Sequence, residues 1–381
     1  MSPPSPVCIV IEAFSARLGG GQTYLRNLLE RLPDDEHLQV YIYAPESLHL
    51  PEKRNLTRLS ARWPVTNPVL RAIWQLLLLP WVLRRLQADI LFCPGGLVVT
   101  PVPRQCRVVT MFRNMAPFDA DVRRALSPLR RLRVVLLYHL LLRSMRIADL
   151  TIFISESGRN RIEKLTSVKR GVTIHHGINP AFLKGDRSSP PAGLAEDGYL
   201  LYVSRFDVYK HQDTLVKAFA MLPQSVRRTV PLVLVGEDEG AEADRVRRLI
   251  HDLDIDSDVR ILGAIPYVQL PAYYQHALIN VFMSSCENCP NILLEAMAAG
   301  RPVVCSSVDP MPEFGGNAVA YVSPFDARDV AGVLEKLLSD GELRTRMGVL
   351  AGTRAEDFDW DQTASQTWAV LMQQGSRYNI A

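Results

Sequence analysis

Two glutamates stand eight positions apart in SSCENCPNILLEAMAAGRPVV, residues 284–304. Glu287 follows the apolar run ALINVFM, and Glu295 sits inside an apolar helical pattern opened by Pro290. One carboxylate in a loop and one on a helix can hold separate hydroxyl-bearing parts of a single ligand. The N–H groups of Asn291, Ile292 and Leu293 at the helix start remain for further hydroxyls or a phosphate. With Ile292, Leu293 and Met297 packed inward, the Glu295 carboxylate is expected to project toward the cleft. Arg205, ending the run LLYVSRF, and Lys210, just ahead of DTLVKAFAML, supply a planar fork and a point charge, a pair suited to a diphosphate. Gly19, Gly20 and Gly21 follow the first apolar run in a strand-to-helix turn, where a glycine backbone and a helix N-terminus can approach a phosphate. Taken singly, each cation also reads as a surface charge and the glycines as an unliganded turn.

Other chemistries fit less well. The glycine spacing matches neither G-x-G-x-x-G nor the GK[ST] ending of a P-loop, which argues against a nicotinamide dehydrogenase and a P-loop ATPase. Cys286 and Cys289 form a C-x-x-C pair with no second pair to complete four metal ligands, so they read as structural thiols rather than as a zinc site or a redox couple.

The elements that must position these residues are short apolar runs alternating with helical patterns. VCIVIEAF, LQVYIYAP, ADILFCPGG, CRVVTMF and ADLTIFIS read as strands of one parallel sheet. After the Gly/Pro/Ser-rich stretch GDRSSPPAGLAEDG the alternation restarts with GYLLYVSRF, VPLVLVGE, VRILGAI, ALINVFMS and PVVCSS. Two doubly wound α/β domains follow, with ligands expected in the loops after strands. The length of 381 residues and the 48% hydrophobic content agree, and they exclude disorder, collagen-like repeats and a disulfide miniprotein. A net charge of +3, from 43 Lys+Arg against 40 Asp+Glu, argues against nucleic-acid binding through a globally basic surface.

Six dispersed cysteines read as reduced thiols in a cytoplasm, and the opening MSPPSPVCIVIEAF lacks the pattern of an export signal. AIWQLLLLPWVL and RVVLLYHLLLRSM are too short to span a bilayer. The second lies in a zone, Arg104 to Arg146, where ten arginines are opposed only by Asp119 and Asp121. Arginines flanking leucine-rich turns suit a segment lying on an anionic membrane surface, against the alternative of a buried helix with a solvated rim.

The glutamate segment resembles glycosyltransferase family 4, retaining enzymes of the GT-B fold, whose hallmark is a glutamate pair with seven residues between. Here that pair is Glu287 and Glu295, followed by AMAAGRPVV. The similarity extends through Gly19 to Gly21, Arg205 with Lys210, Gly236 in LVLVGE, Gly263 in ILGAI and the tail DFDWDQTASQTWAVL. It implies two Rossmann-like domains facing across a cleft: an acceptor domain over 1–184, a linker over 185–198, a nucleotide-sugar domain over 199–362, and a helix over 363–381 returning to the first domain. It further implies that Glu295 holds ribose hydroxyls, that Glu287 lies by the transferred sugar, and that Asn291, Ile292 and Leu293 contact the sugar through backbone N–H groups. Arg205 and Lys210 would stabilise the departing diphosphate in place of a metal, Gly20 and Gly21 would approach the same phosphates, Gly236 would lie in the donor site, and Gly263 and Ile265 would lie near the base. No metal or other cofactor is implied.

Many relatives carry a histidine after a strand of the first domain. The corresponding stretch here, VVTMFRNMAPF, offers Arg113 and Asn114 instead, and Asn114 can bond a sugar hydroxyl but cannot titrate. His175, His176 and His211 read as structural or surface residues. The activity implied is retaining, front-face transfer from a nucleoside-diphosphate sugar to a lipid-linked or growing glycan, at the cytoplasmic face of the inner membrane, in bacterial surface polysaccharide synthesis. A non-catalytic sugar- or nucleotide-binding scaffold and a nucleotide-sugar epimerase are the alternatives. The intact glutamates and cations argue against the first, and the lack of titratable groups in RNM argues against the second.

Overall fold

The computed structural model describes residues 6–16, 20–61, 65–183, 190–194 and 198–376, excluding the side chains of Ala125 and Ser376. Gly19, most of the linker stretch and the last residues of the tail lie outside the described residues.

The first sheet contains β1 (Val7–Glu12), β2 (Leu38–Tyr43), β3 (Leu56–Arg58), β4 (Ile90–Cys93), β5 (Arg107–Phe112), β6 (Leu150–Phe153) and β7 (Gly171–Thr173), in the order β3-β2-β1-β4-β5-β6-β7. The second contains β8 (Leu200–Val203), β9 (Leu232–Val235), β10 (Val259–Ile261), β11 (Ile279–Phe282), β12 (Val303–Ser306) and β13 (Ala320–Val322), in the order β10-β9-β8-β11-β12-β13. Every pairing is parallel. Strands such as LLYV, LVLV and INVF are buried along their whole length, as a sheet covered on both faces requires. In each sheet the strand order reverses once, between β1 and β4 and between β8 and β11. Loops leaving neighbouring strands diverge there and open a crevice at the carboxyl ends.

The chain divides into two compact units. The first comprises Met1–Phe118, Ser127–Gly177 and Trp360–Ala381, and the second Asp119–Leu126 and Ile178–Asp359. The first unit therefore yields to the second at Gly177 rather than at 184, and resumes at Trp360 rather than at 363. The two ends of the second unit meet there: the N–H of Ile178 donates to the carbonyl of Phe358 at 2.9 Å.

The closing helix, Trp360–Ser376, belongs to the first unit. Trp368 is buried and its indole N–H donates to the carbonyl of Leu28 at 3.0 Å. The hydroxyl of Thr363 donates to the carbonyl of His175 at 2.8 Å. His176 packs in a three-ring cluster with Tyr24 and Trp360, whose centroids lie 5.2 and 5.4 Å from its own and 6.3 Å from each other, and burial holds it neutral.

The two apolar stretches form helices that no bilayer span could use; no described helix is long and apolar enough to cross a membrane. AIWQLLLLPWVL is broken into Pro68–Leu77 and Leu79–Arg85, because Pro80 supplies no N–H to continue the ladder and favours a helix start. The second stretch lies within Pro128–Ile147, which begins with Pro128 in its first turn.

Candidate active site

The crevice of the second sheet lies beyond β8 and β11, adjacent parallel strands. The loop after β8 carries Arg205 and a 3-10 turn, Val208–Lys210; the loop after β11 carries Ser284 to Pro290. The two are tied together. The N–H of Ser285 donates to the carbonyl of Tyr209 at 2.9 Å, the His211 ring nitrogen Nε2 lies 2.7 Å from the Ser285 hydroxyl, and the phenol of Tyr202 donates to the carbonyl of Lys210 at 2.6 Å. His211 adopts a left-handed conformation, φ +52°, which turns the chain directly from the 3-10 turn into helix Gln212–Met221. Lys210 and Glu287 are thereby delivered to one point from strands that the sequence separates widely.

There the Lys210 ammonium meets Oε1 of Glu287 at 2.5 Å, with side chains only 7% and 18% exposed. The ammonium also lies 5.3 and 5.4 Å from the ring centres of Tyr209 and Phe282. A carboxylate and two π faces thus replace the water that Lys210 has lost. Arg205 is exposed. Its Nε pairs with Asp207 at 2.5 Å and its Nη2 donates to the Tyr209 phenol at 3.1 Å, while Gln212 fixes its backbone by donating to its carbonyl at 2.9 Å. Burial pushes the Tyr209 phenol up to about 12 despite the pull of Arg205, so it stays protonated. The site presents one solvated guanidinium and one sheltered ammonium already matched to a carboxylate, an arrangement that can receive an anion by exchange of partners.

Gly236 belongs to this floor for a steric reason. At φ +146° it donates its N–H to the carbonyl of Gly263 at 2.9 Å, and a Cβ there would fall 2.2 Å from the carbonyl oxygen of Ser204. Gly263, at φ +69°, turns the chain after β10, and Ile265 two residues later packs partly into the core.

The glutamate helix, Asn291–Ala298, departs from expectation twice. It is buried on nearly every side, Leu293, Leu294, Ala296 and Met297 included, so Glu295 does not project into open space: it is 9% exposed. Tyr267 and Tyr274 hold it, their phenols donating to Oε1 at 2.9 Å and to Oε2 at 3.4 Å. Burial raises the Glu295 carboxyl to about 7, and both phenols oppose that rise. Second, the N–H of Asn291 is not free but donates to the carbonyl of Cys289 at 3.0 Å, because the turn through Pro290 folds back on itself. Ile292 and Leu293 remain as the first-turn donors on this helix. Sequence reasoning passed over both tyrosines; their one signal was the placement of two phenols, seven residues apart, upstream of the glutamate pair. Cys286 and Cys289, like the other four cysteines, take part in no disulfide.

In the first unit, Gly20 and Gly21 open helix Gly20–Glu30 rather than lying in the turn before it. A Cβ on Gly21 would meet Ala16 at 3.3 Å and the Arg113 guanidinium at 3.7 Å, so these two predicted residues are neighbours. Arg113 follows β5 and lies over the Tyr24 ring, 5.4 Å from its centre. The side-chain oxygen of Asn114 accepts from the N–H of Ala116 at 3.2 Å, capping the 3-10 turn Ala116–Phe118. At the end of β1 stands Glu12, buried, which the sequence reading did not single out. Its Oε1 accepts from the N–H of Phe14 at 3.3 Å, and burial raises its carboxyl to about 7 against the pull of Arg71, that N–H and Gln75.

Two family models match successive stretches: "Glycosyltransferase Family 4" over residues 18–182 and "Glycosyl transferases group 1" over residues 188–351. An O-antigen chain mannosyltransferase B from Escherichia coli is 34% identical over 177 residues, 46% of this chain and 45% of that protein. A D-inositol 3-phosphate glycosyltransferase from Corynebacterium aurimucosum is 32% identical over 170 residues, 43% of this chain and 40% of that protein. The chain thus spans under half the length of these curated relatives. Among solved structures, a sucrose-phosphate synthase from Thermosynechococcus elongatus superposes with a TM-score of 0.76 at 21% identity, covering 98% of this chain and 100% of that one. WaaG, described as a glycosyltransferase involved in lipopolysaccharide biosynthesis, does so at 0.69 and 18%, covering 95% and 98%. At these identities the structural likeness is one of fold, the two-unit GT-B architecture.

Proposed function

The chain belongs to glycosyltransferase family 4, and from that premise we propose that it is a retaining glycosyltransferase moving a sugar from a nucleoside-diphosphate sugar to a lipid-linked or growing glycan. The observation that carries this is the buried Lys210–Glu287 pair, with Arg205 beside it, at the switch point of the second sheet. As the diphosphate departs, negative charge grows on its oxygens, and fixed cations stabilise that charge without reorganising. Lys210 exchanges its partner for the phosphate, and the released Glu287 carboxylate orients the sugar and offsets positive charge at the anomeric centre. No second carboxylate acts as nucleophile. The acceptor hydroxyl attacks on the leaving-group side and passes its proton to the departing diphosphate. Neither a metal nor another cofactor takes part.

Surface polysaccharide synthesis is the setting that the O-antigen and lipopolysaccharide relatives favour. A peripheral position on the cytoplasmic face of the inner membrane is supported by two helical segments of the first unit. Val69, Leu76, Leu77 and Trp81 are exposed on one, and Leu129, Leu132 and Leu136 on the other. No Asp or Glu occurs between Glu52 and Asp89 or between Asp121 and Asp149, whereas arginines occur in both intervals. Trp74, Leu79 and Leu83 of the first segment share a core cluster with Cys8, Val10 and Leu91, so that segment's inner side is fixed on the sheet. Exposed leucine beside unopposed arginine suits anionic headgroups over an acyl layer.

The test is a donor screen with UDP-, GDP-, ADP- and dTDP-sugars, following nucleoside diphosphate release with and without EDTA and a membrane-lipid extract. Slow, EDTA-resistant release from one donor, accelerated by the extract, is expected. Nucleotide binding without release from any donor would favour a non-catalytic scaffold, and EDTA-sensitive release would refute the metal-free scheme.

A further inference from the structure

We propose that Tyr267 is a positioning residue for nucleotide recognition: its phenol, donating to Oε1 of Glu295, keeps that carboxylate a charged acceptor for the ribose hydroxyls. The proposal rests on the reading that Glu295 binds the ribose and adds what makes it competent to do so. A carboxylate taken from water beside apolar side chains tends to hold a proton, and a protonated carboxyl is a poor acceptor for a pair of hydroxyl donors. The described groups acting on Glu295 are the two phenols; no lysine or arginine contributes. Of these, Tyr267 makes the shorter bond, 2.9 Å against 3.4 Å for Tyr274.

The geometry is braced. Phe182, buried in the short helix Pro180–Leu183, touches both rings, with centroids 5.3 Å from Tyr267 and 5.8 Å from Tyr274. Tyr274 is buried, while Tyr267 is 48% exposed. Burial and the adjacent Glu295 charge push the Tyr267 phenol up, so it stays a donor at every working pH. A carboxylate has about four acceptor positions. Two phenols occupy two of them, leaving one on each oxygen for a 2′- and a 3′-hydroxyl.

The test uses calorimetric titration of the full chain with GDP and UDP, each beside its 2′,3′-dideoxy counterpart, from pH 5.5 to 9. The ratio of dideoxy to parent Kd reports the diol alone, because titration of the base and phosphates cancels. In the wild type this ratio is expected to rise through about pH 7 to a plateau, following the Glu295 carboxyl. In Tyr267→Phe the plateau is kept but the midpoint moves up by about one pH unit, which below the midpoint is about a tenfold loss of diol preference. In Glu295→Gln the ratio stays near one throughout. A Tyr267→Phe midpoint equal to that of the wild type overturns the proposal while leaving Glu295 as the ribose ligand. A wild type blind to the diol for whichever nucleotide it binds overturns the ribose reading and the proposal with it.

Discussion

Replacing Lys210 by methionine should cripple the protein in two separable ways. The ammonium and Glu287 meet at 2.5 Å with side chains under one-fifth exposed. Removing one partner of so sheltered a pair strands the other charge and destabilises by about 3–5 kcal/mol. For a unit of this size each kcal/mol moves Tm by about 2–4 °C, so the second unit should melt about 6–20 °C lower. Adding Glu287→Gln removes the stranded charge, leaving two neutral side chains of nearly native shape. The double variant should recover most of the loss, giving a coupling energy of at least about 3 kcal/mol. Turnover should not recover, because neither cation nor carboxylate has been restored. The assay is a four-way cycle of calorimetric melts run beside product formation. A double variant destabilised by the sum of its single variants would refute the coupled pair, and recovery of turnover together with stability would remove Lys210 and Glu287 from the chemistry.

Other variants examine neighbouring parts of the argument. Gly236→Ala should abolish nucleotide binding, measured by calorimetry, because its Cβ would fall 2.2 Å from the Ser204 carbonyl and displace the backbone beside Arg205; unchanged Kd would show that this floor can yield. Trp368→Ala should cost about 3–5 kcal/mol in the first unit, from lost burial and the lost bond to Leu28, and should speed proteolytic cleavage there. Glu12 keeps its proton in the folded state up to about pH 7, whereas the unfolded chain loses it near 4.5. Folding takes up a proton in that window, so this group's contribution to stability falls as pH rises from 4.5 to 7. Glu12→Gln should flatten the dependence by at most about 1.4 kcal/mol per pH unit in urea melts of the first unit.

The strand runs were legible because parallel strands buried on both faces are continuous apolar segments, and LLYV, LVLV and INVF carry no competing pattern. Glu287 and Lys210 were legible as loop residues of types that carry charge, but their contact was not, since nothing local encodes a meeting across 77 positions. The enclosure of Glu295 was not legible for a related reason. Helical periodicity marks which residues share a face, not whether a second element covers it, and Tyr267 and Tyr274 arrive from the turn and helix before β11. The free N–H expected of Asn291 was lost to a turn whose closure depends on Cys289 and Pro290 together. The boundary at Gly177 lay in ordinary strand-and-loop sequence, whereas the Gly/Pro-rich stretch that drew attention begins only after helix Pro180–Leu183.

The closing helix also sets the order in which the molecule can be made. The second unit holds all its strands between Ile178 and Asp359 and can fold as soon as that stretch has left the ribosome. The first unit begins earlier and finishes later, because Tyr24, Leu28 and His175 wait for Thr363, Thr367 and Trp368. The half synthesised first is therefore the half completed last, and its sheet spends the interval with the face meant for that helix uncovered.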